Sequence, residues 1–175
     1  MVRTCDVTSD RAWRIAIAPV LCAVLSSCGG GAASPSGGPV PEKRCGDSPE
    51  TYFSIYNVAQ LAEFADCTVL VGRLQEDSVR DLQDFAALKN VWKVEGVINL
   101  FRSPGFLTLH GLENLQIVEG NLFVHLNENL MSVAALEKLH TVTGDVLFES
   151  NPLVPRAELD AIDARVTVGG TTTLR

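Results

Sequence analysis

The sequence predicts a mainly β fold, a short stack of parallel β coils of about 24 residues each, closed by short capping helices. Three observations predict it. Glycine recurs at Gly72, Gly96, Gly120 and Gly144, a step of 24 residues. Apolar columns keep the same step, among them Phe64, Leu88, Leu112 and Leu136, then Leu70, Val94, Val118 and Val142, then Leu74, Ile98, Leu122 and Val146. After each glycine the pattern alternates, as in Gly120-Asn121-Leu122-Phe123-Val124, which is the period of a half-buried strand. A fixed period of this length with short alternating runs means repeated units that bury one another's apolar edges.

The elements follow in chain order. Residues 1–27 read as a leader. Arg11 and Arg14 close a basic segment, and an apolar run extends from Ile15 to Leu25. As helix that run spans about 16 Å, roughly half the hydrocarbon core of a bilayer, so it suits a signal peptide and not a membrane span. It ends in Leu25-Ser26-Ser27-Cys28, which resembles the lipobox of bacterial lipoproteins. Small residues before the cysteine admit a peptidase to the backbone, and the Cys28 thiol is the nucleophile that accepts the lipid. The competing reading is an ordinary signal peptide with a chance cysteine. Residues 28–44, rich in Gly, Pro and Ser, form a tether that cannot bury apolar surface. Residues 45–175 form the coil-stack domain. The expected location is the cell envelope, with the lipid holding the chain to the outer membrane or cell surface.

Charge narrows the partners. The chain carries a formal net charge of −7, and loss of the leader makes it slightly more acidic. That sign disfavours nucleic acid, whose phosphates require Lys and Arg. It equally disfavours electrostatic docking on anionic lipid.

Cysteine usage fits export. Cys5 and Cys22 leave with the leader and Cys28 is acylated, so Cys45 and Cys67 remain as an even pair in an oxidising compartment. A disulfide between them stabilises the fold by about 3 kcal/mol through loop closure. Two buried free thiols are the alternative.

Within the domain, Asn57 is placed to cap a helix over Val58 to Phe64 that covers the first coil. A second short helix is expected from Ser78, where Ser78-x-x-Asp81 is a loose capping box and Leu82 and Phe85 face inward. Each later coil contributes one short strand, and the spacing before it suits a second strand or a tight turn. Leu122 and Val124 point inward; Asn121, Phe123 and His125 point outward. Asn127 and Asn151 sit where coils bend, with Ser103 one period earlier, and their amides bond to turn backbone. Val166, Val168 and Leu174 form a last strand after an insertion of one or two residues relative to the period.

The segments Cys67-Thr68-Val69-Leu70-Val71-Gly72-Arg73-Leu74 and Leu112-Glu113-Asn114-Leu115-Gln116-Ile117-Val118-Glu119-Gly120-Asn121-Leu122 resemble the receptor L domain, as does the coil-closing Asn151-Pro152-Leu153. That domain forms the ligand-binding ends of insulin- and EGF-type receptor ectodomains. The resemblance covers about residues 45–155. It implies a short right-handed parallel β-helix, or solenoid, related to leucine-rich repeats and capped by a helix and a disulfide. It suggests binding and names no ligand.

Catalytic chemistry has no visible constellation. His110, His125 and His140 recur every 15 residues, out of step with the coil, so they do not converge on a metal. His125 and Glu149 lie one period apart, where an acid–base pair competes with a plain surface hydrogen bond. No nucleotide fingerprint or Ser-His-Asp order is present. Trp92 reads as partial packing or a sugar platform. No cofactor and no metal are expected. One outward feature departs from a solvated sheet: Phe101, Phe123 and Leu147 share outward parity on successive coils, flanked by Asn99 and His125. A contiguous apolar patch marks an interaction site unless a loop or the C-terminal tail covers it. The expectation is a non-catalytic surface module that binds an envelope or extracellular protein or a glycan through Phe101, Phe123, His125 and Leu147. A structural spacer of the envelope and a carbohydrate-active β-helix enzyme are the other classes.

Overall fold

Each repeated glycine lies between two strands, so of the two readings of the spacing before it, a second strand or a tight turn, the second strand is what forms. The computed structural model describes residues 41–49, 51–55, 58–77 and 80–175, all within one compact unit, Pro39–Arg175. The leader, the Cys28 lipobox, most of the tether, and the Asn57 and Ser78 caps lie outside the described residues.

The fold is mainly β, with two parallel sheets of six strands and few helices. The first sheet holds β1 (Arg44–Cys45), β3 (Val69–Val71), β5 (Lys93–Glu95), β7 (Ile117–Val118), β9 (Thr141–Val142) and β11 (Thr167–Val168), stacked in that order. The second holds β2 (Tyr52–Ile55), β4 (Arg73–Asp77), β6 (Ile98–Phe101), β8 (Leu122–His125), β10 (Val146–Glu149) and β12 (Thr172–Leu174). Each pass therefore lays one strand in the first sheet, turns, and lays another in the second.

Register follows the sequence period. Leu70 pairs with Val94, Val94 with Val118, and Val118 with Val142. In the second sheet Leu74, Ile98, Leu122 and Val146 align. All eight side chains are buried, so the apolar columns of the sequence are the rows of the core. The step lengthens to 26 at the last pass, where Thr141 pairs with Thr167 and Val146 with Thr172. That agrees with the expected insertion. One inward row begins differently: Glu76, fully buried, stands in register with Leu100, Val124 and Phe148.

The corner between the sheets explains the repeated glycine. A Cβ on Gly96 would lie 2.0 Å from the carbonyl oxygen of Gly72, and one on Gly120 would lie 2.1 Å from that of Gly96. Gly96 and Gly120 each pack on the glycine of the preceding pass, and no side chain fits at either.

The opposite corner uses side chains. Arg102, Leu126 and Ser150, one period apart, take φ of 55°, 59° and 58°, and the next residues bond from pass to pass. Ser103 N–H donates to Asn127 Oδ1 at 3.0 Å, and Asn127 N–H donates to Asn151 Oδ1 at 3.1 Å. The amide nitrogens donate to Leu100 and Val124 carbonyls at 3.1 and 2.8 Å. Asn127 and Asn151 are buried, so this ladder supplies partners that water cannot.

Two helical expectations change. The first helix, α1, spans Val58–Ala62, shorter than expected. No helix occupies Arg80 to Phe85; the chain there is bend and coil, followed by a single 3-10 turn at Ala86–Leu88. Leu82 and Phe85 are buried as expected, held by coil packing and not by helical periodicity. Phe85 N–H donates to the His110 carbonyl at 2.6 Å and its ring centroid lies 4.9 Å from that of Phe106. A helix absent from the sequence reading, α2, spans Arg156–Arg165 after Pro155. Its Leu159 and Ile162 are buried in the core, 26 residues beyond Val133 and Leu136. Its ends are tied to the pass before: Glu158 accepts from Val133 N–H at 2.7 Å and Ser132 Oγ at 2.9 Å, and Arg165 donates to the Leu136 and Leu139 carbonyls. At the other end a Cys45–Cys67 disulfide joins β1 to the turn entering β3, with Cα atoms 5.9 Å apart.

Candidate functional site

The two sheets present different outer faces. On the first, charge is matched internally. Lys93 Nζ lies 3.1 Å from Glu95 and 2.8 Å from Glu119, and Arg44 also pairs with Glu95. Because β3 lies between β1 and β5, the Arg44–Glu95 pair passes over the outer side of β3, where Val69 and Val71 are buried. The Arg44 hydrogen bond, supported by Lys93, holds the Glu95 carboxyl below its ordinary range against the opposing effect of burial.

The outer face of the second sheet is apolar and aromatic at its centre. Strand parity turns Asn99, Phe101, Phe123, His125, Leu147 and Glu149 away from the core, while Ile98, Leu100, Leu122, Val124, Val146 and Phe148 are buried. Register sorts the outward residues into two neighbouring columns. Asn99, Phe123 and Leu147 form one; Phe101, His125 and Glu149 form the other. Phe123 thus stands beside Leu147, and Phe101 beside His125. All four are half-buried. The Phe101 and His125 ring centroids are 4.6 Å apart with the planes tilted by 35°. Asn99 Oδ1 lies 3.3 Å from His125 Nε2, and the Arg102 guanidinium sits 5.4 Å from the Phe101 centroid. Burial pushes the His125 pKa down, and the neighbouring Glu149 charge opposes that shift without cancelling it.

Along the strand direction this face runs into an open cleft of about 400 Å³, lined by Arg80, Arg102, Pro104, Leu126, Glu128 and Asn129. Leu126 is 39% exposed. The cleft was not anticipated from sequence, although the 24-residue step already placed Arg102 and Leu126 in one column directly after their strands. Arg80 comes from the segment expected to be helical, which is bend and coil where it meets this edge.

The other chemical candidates disperse. His110 bonds Glu113 at 2.5 Å and His140 bonds Thr141 at 2.9 Å, each locally and away from His125. His125 and Glu149 are neighbours in register, but Glu149 is held by Arg175 at 2.6 Å and the His125 ring lies against Phe101 and Asn99. Among the described residues no group of three or more His, Cys, Asp or Glu could hold a metal ion. Among them, too, no helix is long and apolar enough to cross a membrane.

A family model for the receptor L domain matches residues 66–158, more than half of the chain. The matched span runs from the turn before β3 into α2. No curated protein matches the chain.

Proposed function

The chain belongs to the receptor L domain family, a family of non-enzymatic ligand-binding domains, and from that premise we propose that it captures a protein or glycan on the outer face of its second sheet. The observation that carries this reading is the joining of three features on one rigid surface. Phe123 and Leu147 form an apolar pair, Phe101 and His125 a stacked pair, and both lie beside the cleft at Arg102. Apolar and aromatic area on a surface fixed by strand pairing costs little ordering entropy on binding. The first-sheet face, whose charges are already paired, has less to offer a partner.

The 24-residue strand register supports a right-handed parallel β-helix, a solenoid spanning residues 45–175. The lipobox-like Leu25-Ser26-Ser27-Cys28 supports a lipid anchor on Cys28 in the cell envelope, with residues 28–44 as tether. The binding face is then held near the membrane but not in it.

A photo-crosslinking amino acid placed at Phe123 in the full chain, expressed in an envelope-bearing host, tests the face. An adduct from position 123 and none from Thr141 on the first sheet is the expected result. Adducts from position 141 with none from 123 would put the partner on the other face.

A further inference from the structure

We propose a second binding site, at the corner where the chain enters the first sheet, that takes a neutral saccharide with Trp92 as its stacking platform. It is independent of the second-sheet face.

The 24-residue step places Thr68, Trp92, Gln116 and His140 on successive passes, immediately before β3, β5, β7 and β9. Their backbones are bonded in sequence: Trp92 N–H to the Thr68 carbonyl at 3.0 Å, Gln116 N–H to Trp92 at 2.8 Å, and His140 N–H to Gln116 at 3.0 Å. The side chains therefore rise from neighbouring rungs about 4.8 Å apart. Two residues earlier on each pass, Asn90, Asn114 and Lys138 form a second column. Asn90 Nδ2 donates to the Ala65 carbonyl at 2.8 Å, Asn114 Nδ2 to Lys89 at 2.6 Å, and Lys138 Nζ to Asn114 Oδ1 at 2.7 Å. These bonds hold both asparagines to the backbone of the preceding pass.

Between the columns lies an open cleft of about 320 Å³ lined by Thr68, Asn90, Trp92, Asn114 and Gln116. The lining is one indole and four uncharged polar side chains, of which Thr68 is buried with its hydroxyl bonded to the Lys43 backbone. Trp92 is half-buried, so it is anchored while still bordering the cleft. Among the described residues, neither the Trp92 indole N–H nor the Gln116 side-chain amide has a hydrogen-bond partner.

This composition selects a ligand class. A pyranose offers a C–H face to an aromatic ring and a rim of hydroxyls that both donate and accept. The Gln116 amide also does both, and the Trp92 indole N–H donates. An anionic ligand would meet no cationic lining residue, since Lys138 at the edge is bonded to Asn114 Oδ1, and the chain carries a net charge of −7. An aliphatic ligand would strip water from the lining amides with nothing in return. Polar side chains of Gln116 and His140 follow Trp92 on the next two rungs, which suits an oligosaccharide better than a single sugar.

The chain has two tryptophans, Trp13 and Trp92, so Trp13→Phe in the full chain leaves Trp92 as the only indole reporter. Its emission is titrated with chitohexaose, cellohexaose and maltohexaose, and with hexagalacturonate as the charged comparison. The expected result is a saturable emission change with at least one neutral oligosaccharide. It should weaken at least tenfold in Gln116→Ala and persist in the Phe101→Ser, Phe123→Ser double variant. Gln116→Glu replaces Gln116→Ala if the latter does not fold. A flat titration with all three neutral sugars overturns the proposal, as does equal saturation by hexagalacturonate or unchanged affinity in the folded Gln116 variant. Loss of sugar binding in the double variant, still folded, would move the site to the second sheet and equally overturn this one.

Discussion

Asn127→Ala should destabilise the domain by about 2–4 kcal/mol. The side chain is fully buried. It accepts from Ser103 N–H at 3.0 Å and donates to the Leu100 carbonyl at 3.1 Å. Truncation leaves the Ser103 N–H buried without its acceptor, at about 1–3 kcal/mol, and removes a net contribution of about 1 kcal/mol at Leu100. A small cavity adds to both. Asn127→Asp separates hydrogen bonding from volume. It keeps the acceptor for Ser103 and, when ionised, loses the donor to Leu100 and sets a buried charge against a carbonyl. Burial and that carbonyl raise the introduced carboxyl's folded pKa above its unfolded value of about 3.9. The variant is then closest to wild type below about pH 4, where the carboxyl is protonated and can donate, and it loses stability as pH rises through the folded pKa. Urea unfolding followed by circular dichroism at pH 7 and pH 4, always against wild type at the same pH, reads both effects. Asn127→Ala within about 0.5 kcal/mol of wild type, or an Asn127→Asp deficit no smaller at pH 4 than at pH 7, would refute the role assigned to the ladder.

Leu122→Ala should cost about 2–4 kcal/mol through cavity formation and Phe123→Ala much less, because Leu122 is 1% exposed while Phe123 is only half-buried; comparable losses in urea melts would mean the strand faces are reversed. His125 has a folded pKa below its unfolded value near 6.5, so its contribution is present above that unfolded value and lost as pH falls through the folded one; thermal melts between pH 7 and pH 5 should flatten in His125→Gln, and an unchanged slope would argue against it. Cys28→Ser should leave an uncleaved precursor that takes up no labelled palmitate, and normal labelling would end the lipid-anchor proposal.

The second-sheet register was legible in detail. Leu74, Ile98, Leu122 and Val146 recur at a fixed step, and each stands in a strand whose neighbours alternate in polarity. Burial imposes that pattern directly, so parity and row could be read before any coordinates. Asn127 and Asn151 were legible as corner residues for a related reason, since a buried turn must find polar partners at the same point of every pass. The first-sheet strands were harder to see. β7 and β9 have two residues each, too few for alternation to register. Helix α2 was obscured because the passes before it offer no helical precedent: the preceding pass fills the same segment with coil and a single 3-10 turn at Ala134–Leu136.

What the sequence determined by itself was the period, the inward rows, the glycine corner and the cysteine pair, because each is a local rule repeated at a constant step. The tertiary structure decided which columns lie side by side. It brought the Phe101 and His125 rings, one period apart, to within 4.6 Å, kept Arg80 to Phe85 out of a helix while burying Leu82 and Phe85, and opened one cleft at Arg102 and another at Trp92. It also buried Glu76 at the head of a row that later passes fill with Leu100, Val124 and Phe148. These outcomes depend on how successive passes stack, and stacking is an interaction between residues at least a full period apart. A stretch of sequence shorter than that period carries the residues' polarity but not the neighbours that the next pass will bring.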